Sequence, residues 1–360
     1  MTKKKLVLLS IMLLTGVYCF GQNDFPAISE GDYQIKNFKF ESGESLPIMN
    51  IHYTTLGKPI KDKNGQVLNA ILIMHGTTVS GHSFLTKQFA GHLFNPGQPL
   101  DASKYFIILP DAIGHGNSSK PSDSLRMNFP KYTYDDMVKA NYILIREHLG
   151  VNHLRLVMGT SMGGMETWIL GYTYPNFMDA LMPLASEPVE IAGRNRMFRK
   201  AVINCVESDP QWQGGTYEKE PKAGLTGAAS AILSLIGGNQ QWQRMAPNRQ
   251  TADSLLLAMT QQLVNRYDAN NLIYQFDASR NYNPAPHLSK IKAPLFAVNS
   301  ADDEIEPPEL KLTEQEISKV KKGRYILLPV TDETIGHGTC YKPEVWSKYL
   351  KELLKISNKK

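Results

Sequence analysis

Short apolar runs of strand length alternate along this chain with longer segments of helical periodicity. Runs such as Ala70–Met74 are wholly hydrophobic, and Pro110 and Gly159 are predicted to stop two of them. Strands this apolar are typical of a mainly parallel sheet that is buried on both faces. The predicted strands are residues 70–74, 105–109, 153–158, 180–184, 295–298 and 325–328. The pattern therefore predicts an α/β fold with helices on both faces of the sheet.

Three helices are predicted around these strands. Thr133 and Asp136 have the spacing of a capping box, and apolar residues recur behind them at helical intervals up to Gly150. Residues 162–174 have helical periodicity and end before a proline, and residues 345–356 form an amphipathic closing helix.

Residues 187–286 have a different pattern. They contain two of the four tryptophans, Trp212 and Trp242, and show helical patterns without a strand run. Ligands of α/β sheets bind at the carboxyl ends of the strands. We therefore interpret residues 187–286 as a helical cap over that edge, and residues 22–186 and 287–360 as the core. The alternative is a set of surface helices with no role in a site.

Composition and charge exclude several classes of protein. Of the 360 residues, 42% are hydrophobic and 20% are charged, which argues against a disordered, collagen-like or coiled-coil chain. The formal net charge is +5, and three of those charges are Lys3, Lys4 and Lys5. The remaining bias is too small to predict nucleic acid as a partner.

The first 21 residues are predicted to be a secretory signal segment. The basic start precedes an apolar run, and small residues flank a cleavage site after Gly21, with Gln22 as the new N-terminus. The run is shorter than the roughly 20 apolar residues that cross a bilayer as a helix. We expect an exported protein, periplasmic or secreted, without stable membrane insertion. The alternative is an uncleaved anchor.

Two cysteines, Cys205 and Cys340, remain after removal of that segment, and an oxidising compartment would allow them to pair. Their number excludes a cysteine-ligated zinc site, and the chain has no His-Glu-x-x-His motif. We expect neither a metal nor a cofactor.

The most informative motif is Gly159-x-Ser161-x-Gly163, between an apolar strand and a helical segment. This is the nucleophile elbow, a tight turn that exposes a serine hydroxyl above the sheet. The alternative is a serine with only a structural role in the turn. In folds with this elbow the acid and then the histidine follow the serine along the chain.

Only His287 and His337 follow the elbow, and His287 comes too early to follow the acid. His337 lies in a glycine-flanked loop after the last predicted strand and is the predicted base. The acid should follow strand 295–298, where Asp302, Asp303, Glu304 and Glu306 are candidates. Asp303 is chosen for its acid-x-apolar-x-Pro spacing, with Asp302 as the alternative.

An oxyanion hole needs two backbone N–H groups. Met162, directly after the serine, and Thr77, in the loop after strand 70–74, are the predicted donors. His75 is expected to shape that loop. The segment from Asp111 to Ser118 resembles a loop of many α/β-hydrolases, and we expect it, with His115, to be structural or to line the pocket.

Longer stretches resemble the homoserine O-acetyltransferase family within the α/β-hydrolase superfamily. The resemblance rests on Phe129-Pro, the segment from Asp136 to Val138, Gly159-Thr-Ser-Met-Gly-Gly-Met165, Asp209-Pro-x-Trp212-x-x-Gly215-x-Tyr217, Gly224-Leu225 and Asp268-Ala-Asn270. It implies an α/β-hydrolase fold with an inserted helical cap. It also implies that Ser161, Asp303 and His337 form the catalytic triad.

Three departures from that family concern the acceptor amino acid. Ala229 stands where the family carries an arginine for the homoserine carboxylate, Ile236 replaces a tyrosine, and Gly338 replaces an acid. The loss of a paired charge weakens recognition by several kcal/mol. Arg194, Arg196 and Arg199 are cap residues that would be able to supply a charge from another direction.

The sequence thus predicts a serine hydrolase that cleaves a small-molecule carboxylic ester through an acyl-enzyme on Ser161. The alternative within catalysis is an O-acyltransferase of the homoserine O-acetyltransferase type, which shares the acyl-enzyme and differs in the final acceptor. A third interpretation, a catalytically inactive binding module, is disfavoured because all three triad members are present in order. Homodimer formation is left open.

Overall fold

The computed structural model describes residues 25–358, so the predicted signal segment lies outside the described residues. Eight strands form one sheet in the order β1-β2-β4-β3-β5-β6-β7-β8. Strands β3 to β8 are parallel, whereas β2 pairs antiparallel with β1 and with β4. The strands are β1 Ile28–Lys39, β2 Ser45–Leu56, β3 Ala70–Met74, β4 Phe106–Pro110, β5 Leu156–Thr160, β6 Leu181–Leu184, β7 Leu295–Ser300 and β8 Gly323–Leu328.

The predicted α/β class is confirmed, and each of the six predicted strands overlaps an observed one. Strand β5 is the largest correction, because it begins at Leu156 and continues through Gly159 to Thr160. Gly159 does not stop it, since this residue stays in register with Met74 on one side and Pro183 on the other. Pro110 is the last residue of β4, so it lies within the strand and not after it.

Strands β1 and β2 were not predicted. Most positions of β1 are exposed or half-buried, so this strand lacks the continuous apolar run that marks the inner strands. It is an edge strand that pairs with β2 alone.

Helices cover both faces of the sheet. They are α1 Ala90–Leu93, α2 Tyr134–Ile143, α3 Met162–Thr173, α4 Gly193–Glu207, α5 Lys222–Ile236, α6 Asn239–Met245, α7 Arg249–Val264, α8 Ala269–Asp277, α9 Leu312–Glu316 and α10 Pro343–Ile356. The predicted capping box is present at the start of α2, where Thr133 accepts from the N–H of Asp136. A π-helical turn, Leu144–His148, follows α2 directly.

Successive residues of a strand belong to two different hydrophobic cores, because their side chains point to opposite faces of the sheet. Leu72 packs with Trp168 of α3 on one face, and Ile73 packs with Trp346 of α10 on the other. Between β6 and β7 the chain forms α4 to α8. Phe198, Leu225, Val264 and Phe276 from four of these helices share a third apolar cluster. The boundaries of the proposed cap at 187 and 286 stay a prediction.

Within residues 25–358 no helix is both long and apolar enough to cross a membrane. Cys205 and Cys340 are free thiols, and Cys340 is buried. The structure therefore has no disulfide between Cys205 and Cys340, a question that the sequence alone left open.

Candidate active site

The turn between β5 and α3 carries Ser161 in an unusual backbone conformation. Its φ is 53° and its ψ is −114°, a region that residues with a side chain rarely occupy. A Cβ at Gly159 would lie 2.2 Å from the carbonyl of Gly163, and one at Gly163 would lie 2.0 Å from the carbonyl oxygen of Met74. The two glycines of the motif are thus required by close backbone approach, and the serine is half-buried at the helix start.

Three side chains from distant loops meet at this turn. His337 Nε2 lies 2.8 Å from Ser161 Oγ, and His337 Nδ1 lies 2.8 Å from Asp303 Oδ2. Both His337 and Asp303 are buried. The N–H groups of Ile305 and Glu306 donate to Asp303 Oδ1 at 2.9 and 3.0 Å, which fixes the carboxylate. With Nδ1–H donating to Asp303, Nε2 is free to accept the serine proton.

Asp302, the alternative acid, has a different position. Its Oδ2 accepts from the N–H of Gly336 at 3.0 Å, and its Oδ1 accepts from the Ser300 hydroxyl. Gly336 has a φ of 63°, and a Cβ there would lie 2.3 Å from the backbone nitrogen of Gly238. Asp302 therefore holds the loop that carries His337, and the turn between α5 and α6 packs on the same loop. His287, the other histidine after the elbow, packs against Tyr172 with 4.9 Å between the tilted ring centroids.

The predicted oxyanion donors lie beside the serine. Met162 is the first residue of α3, and a Cβ at Gly76, next to Thr77, would lie 3.5 Å from Ser161 Cβ. Within residues 25–358 neither the Met162 N–H nor the Thr77 N–H donates to a protein acceptor. Both groups are thus free to stabilise negative charge at this position. Their role stays a prediction.

Tyr341 was not identified from the sequence, because no motif marks it. Its hydroxyl oxygen accepts from the Gly76 N–H at 3.1 Å and from the Thr160 hydroxyl at 2.9 Å. Its ring stacks on Phe84, with 5.7 Å between centroids. Tyr341 thus ties the loop after β3 to the end of β5, on either side of the serine.

His75 and Asp111 connect the loops after β3 and β4. His75 Nε2 accepts from the N–H of Ala112 at 3.0 Å, and burial lowers the pKa of the imidazole, which keeps it neutral. Asp111 accepts from the N–H groups of Gly81 and Asn117. Burial also lowers the pKa of His115 to about 3, so this imidazole is neutral as well. Both histidines thus shape the loops as neutral groups.

Two further carboxyl groups lie close to Asp303. Burial raises the pKa of Glu187 to about 7, and it raises that of Glu306 well above its usual range, with the negative charges of Glu187 and Asp303 adding to the effect. A neutral Glu306 adds no second charge beside Asp303.

Ala229, which stands where the resemblance implies an arginine, supplies no cation. Ala229 is fully buried inside α5. Arg194 pairs with Glu304 at 3.0 Å, and Arg199 donates to Asn195, Tyr134 and Ser279. Arg196 has a buried Nη1 without a hydrogen-bond partner among the described residues. No group of three or more metal-ligating side chains occurs in the described part of the chain.

Comparison with known proteins places the chain among enzymes of this architecture. The α/β-hydrolase fold family matches residues 69–327. The homoserine O-acetyltransferase of Moorella thermoacetica is 31% identical over 269 residues, which cover 65% of this chain and 69% of that protein. A homoserine O-acetyltransferase structure from Bacillus anthracis superposes with a TM-score of 0.79 at 20% identity, covering 91% of this chain and 97% of the other. An acetylester hydrolase from Corynebacterium glutamicum also reaches 0.79, at 22% identity, covering 91% and 96%.

Proposed function

Because this chain belongs to the homoserine O-acetyltransferase family of α/β-hydrolase enzymes, we propose that it is an exported esterase that cleaves a small-molecule carboxylic ester. The observation that carries the proposal is the continuous series of hydrogen bonds from Ser161 through His337 to Asp303. Hydrolases and acyltransferases both use such a triad to form an acyl-enzyme, and they differ only in the molecule that then accepts the acyl group.

In the proposed mechanism Ser161 Oγ attacks the ester carbonyl while His337 Nε2 takes its proton. The Met162 and Thr77 N–H groups stabilise the oxyanion, and His337 returns the proton to the leaving alcohol. A water molecule activated by His337 then attacks the acyl-enzyme, releases the carboxylic acid and restores Ser161. Asp303 holds the imidazole and stabilises its charged form throughout.

Water is the proposed acceptor because the chain lacks a cation at the position of Ala229. A homoserine carboxylate would lose its hydration there without a compensating partner. Gly338 likewise offers no acid for the acceptor amine. Water therefore meets little competition for the acyl-enzyme.

Both activities are to be measured on one preparation. We expect hydrolysis of short-chain p-nitrophenyl esters and little O-acetylhomoserine from acetyl-CoA and homoserine. Ser161→Ala is the matched inactive control. Efficient O-acetylhomoserine formation with negligible ester hydrolysis would overturn the proposal.

The second candidate is O-acyl transfer, which the name of the Moorella relative favours. Arg196 would then be the cap arginine with an uncommitted nitrogen for an acceptor carboxylate. Arg196→Gln should raise the KM for homoserine if transfer is the activity. It should leave ester hydrolysis unchanged if water is the acceptor.

Export is part of the same proposal and rests on residues 1–21. An exported enzyme would not meet acetyl-CoA, which is a cytoplasmic metabolite. Expression of the full chain in a bacterial host should yield protein in the periplasm or medium that begins at Gln22. Full-length protein retained in the cytoplasm would remove this argument for hydrolysis.

A further inference from the structure

A cavity of about 460 Å³ lies between the loop after β3, the loop after β4 and helix α8. Its lining is largely polar and includes Thr78, Ser80, Lys120, Arg266, Tyr267 and Gln275. The triad does not use any of these residues. The volume is in the range of sites that hold small molecules.

The loop after β3 lines this cavity and also passes the serine. A Cβ at Gly76 would lie 3.5 Å from Ser161 Cβ, and Thr78 is two residues further along the same loop, at most about 7 Å away along the backbone. Thr78 has a φ of 67°, a left-handed conformation that is costly for a β-branched residue. The Tyr267 hydroxyl donates to Thr78 Oγ1 at 3.5 Å. The cavity wall is thus joined to the loop that carries the predicted oxyanion donor.

Most charged groups around the cavity have a partner. Lys120 pairs with Asp123 at 2.9 Å. Asp268 accepts from the Asn271 N–H and from the Tyr217 hydroxyl. Arg266 differs, because within residues 25–358 no carboxylate lies within ion-pair distance of its guanidinium and no hydrogen bond from it is formed.

We infer that this cavity binds the part of the ester that lies away from the reacting carbonyl, and that Arg266 pairs there with a carboxylate of the substrate. This inference rests on the proposed function and names its substrate class, an ester that carries a free carboxylate. A guanidinium presents paired N–H groups that match a carboxylate, and a single positive charge balances a single negative one. A phosphate dianion would leave one charge without a partner.

The test compares charged and neutral esters of similar size. On the acyl side these are mono-p-nitrophenyl succinate and p-nitrophenyl butyrate, and on the alcohol side 4-acetoxybenzoate and its methyl ester. Arg266→Gln should raise KM for one charged ester by about tenfold or more, because a charged hydrogen bond is lost, and should leave kcat unchanged. Neutral esters should be unaffected. Arg266→Lys should restore part of the loss.

Arg249→Gln is the matched control, since Arg249 is also an exposed cap arginine and does not line the cavity. Equal effects of Arg266→Gln on charged and neutral esters, or no effect on either charged ester, would overturn the inference. Neutral ester hydrolysis that depends on Ser161 would still support the esterase in that case. Wild-type protein that hydrolyses none of the four esters would overturn both proposals.

A binding measurement gives a readout apart from turnover. Titration of the Ser161→Ala protein with monomethyl succinate and with 4-acetoxybenzoate, followed by calorimetry, should detect binding of at least one. Adding Arg266→Gln should weaken that binding about tenfold or more. Unchanged affinity for both probes in the double variant would contradict the assignment of Arg266.

Discussion

Ser161 is the residue on which the proposed chemistry depends, and its environment allows a clean test. Ser161→Ala removes the nucleophile while the turn around it is fixed by Gly159, Gly163 and a hydrogen bond from Ser161 N to the Leu184 carbonyl. Ester hydrolysis should fall by about 10⁴-fold or more, with little change in melting temperature. His337→Ala should be about as damaging because the two act as one unit. Hydrolysis within about tenfold of wild type would refute the assignment.

Single substitutions also distinguish the two neighbouring aspartates, Asp302 and Asp303. Asp303→Asn should reduce kcat by about 10⁴-fold, because an amide no longer supports the tautomer that His337 needs. Asp302→Asn should reduce it less than about tenfold, since an amide oxygen still accepts from the Gly336 N–H. Steady-state kinetics of both variants decide the matter. If Asp302→Asn lost activity and Asp303→Asn kept it, Asp302 would be the catalytic acid.

At the scale of elements, Tyr341 joins the loop after β3 to the end of β5. Tyr341→Phe removes the oxygen that accepts from the Gly76 N–H and the Thr160 hydroxyl, so the oxyanion loop loses its fixed distance from Ser161. We expect kcat to fall about tenfold with KM nearly unchanged, because transition-state contacts weaken more than substrate binding. Tyr349→Phe, on α10, is the control. A change in KM alone would contradict this role.

At the scale of the whole molecule, a buried carboxyl makes stability depend on pH. Burial raises the pKa of Glu166 to about 8, and its Oε1 has no hydrogen-bond partner among residues 25–358. In the unfolded chain this carboxyl ionises near pH 4.5, so the folded state binds the extra proton between that value and about 8. Stability should therefore decrease as the pH rises through this window.

Glu166→Gln tests this effect because glutamine resembles the protonated acid and has no proton to lose. The variant should be more stable than wild type near pH ~8, by on the order of a few kcal/mol, and its melting temperature should vary less with pH. The exposed Glu218→Gln serves as control. Parallel pH profiles of the Glu166 variant and wild type would show that this carboxyl does not contribute.

The sequence by itself determined the inner strands, the elbow and the order of the triad. The strands and the elbow are local features, and the order of the triad follows from the fold that the elbow indicates. Strands buried on both faces must be apolar throughout, and the tight turn at Ser161 tolerates only glycine at 159 and 163 because backbone segments touch there. Each can be predicted from a few adjacent residues.

Tertiary structure decided what depends on distant segments. Strand β1 is a sheet edge whose exposed pattern carries no strong signal. Asp302 and Asp303 are neighbours in a polar turn. The sequence favours Asp303 by its spacing to a proline, but only the folded position of His337 after β8 shows which carboxylate contacts the imidazole. Tyr341 lies 265 residues from the Gly76 N–H that it binds. Contacts over such distances arise from the packing of the sheet and its loops, which places residues together that no local pattern relates.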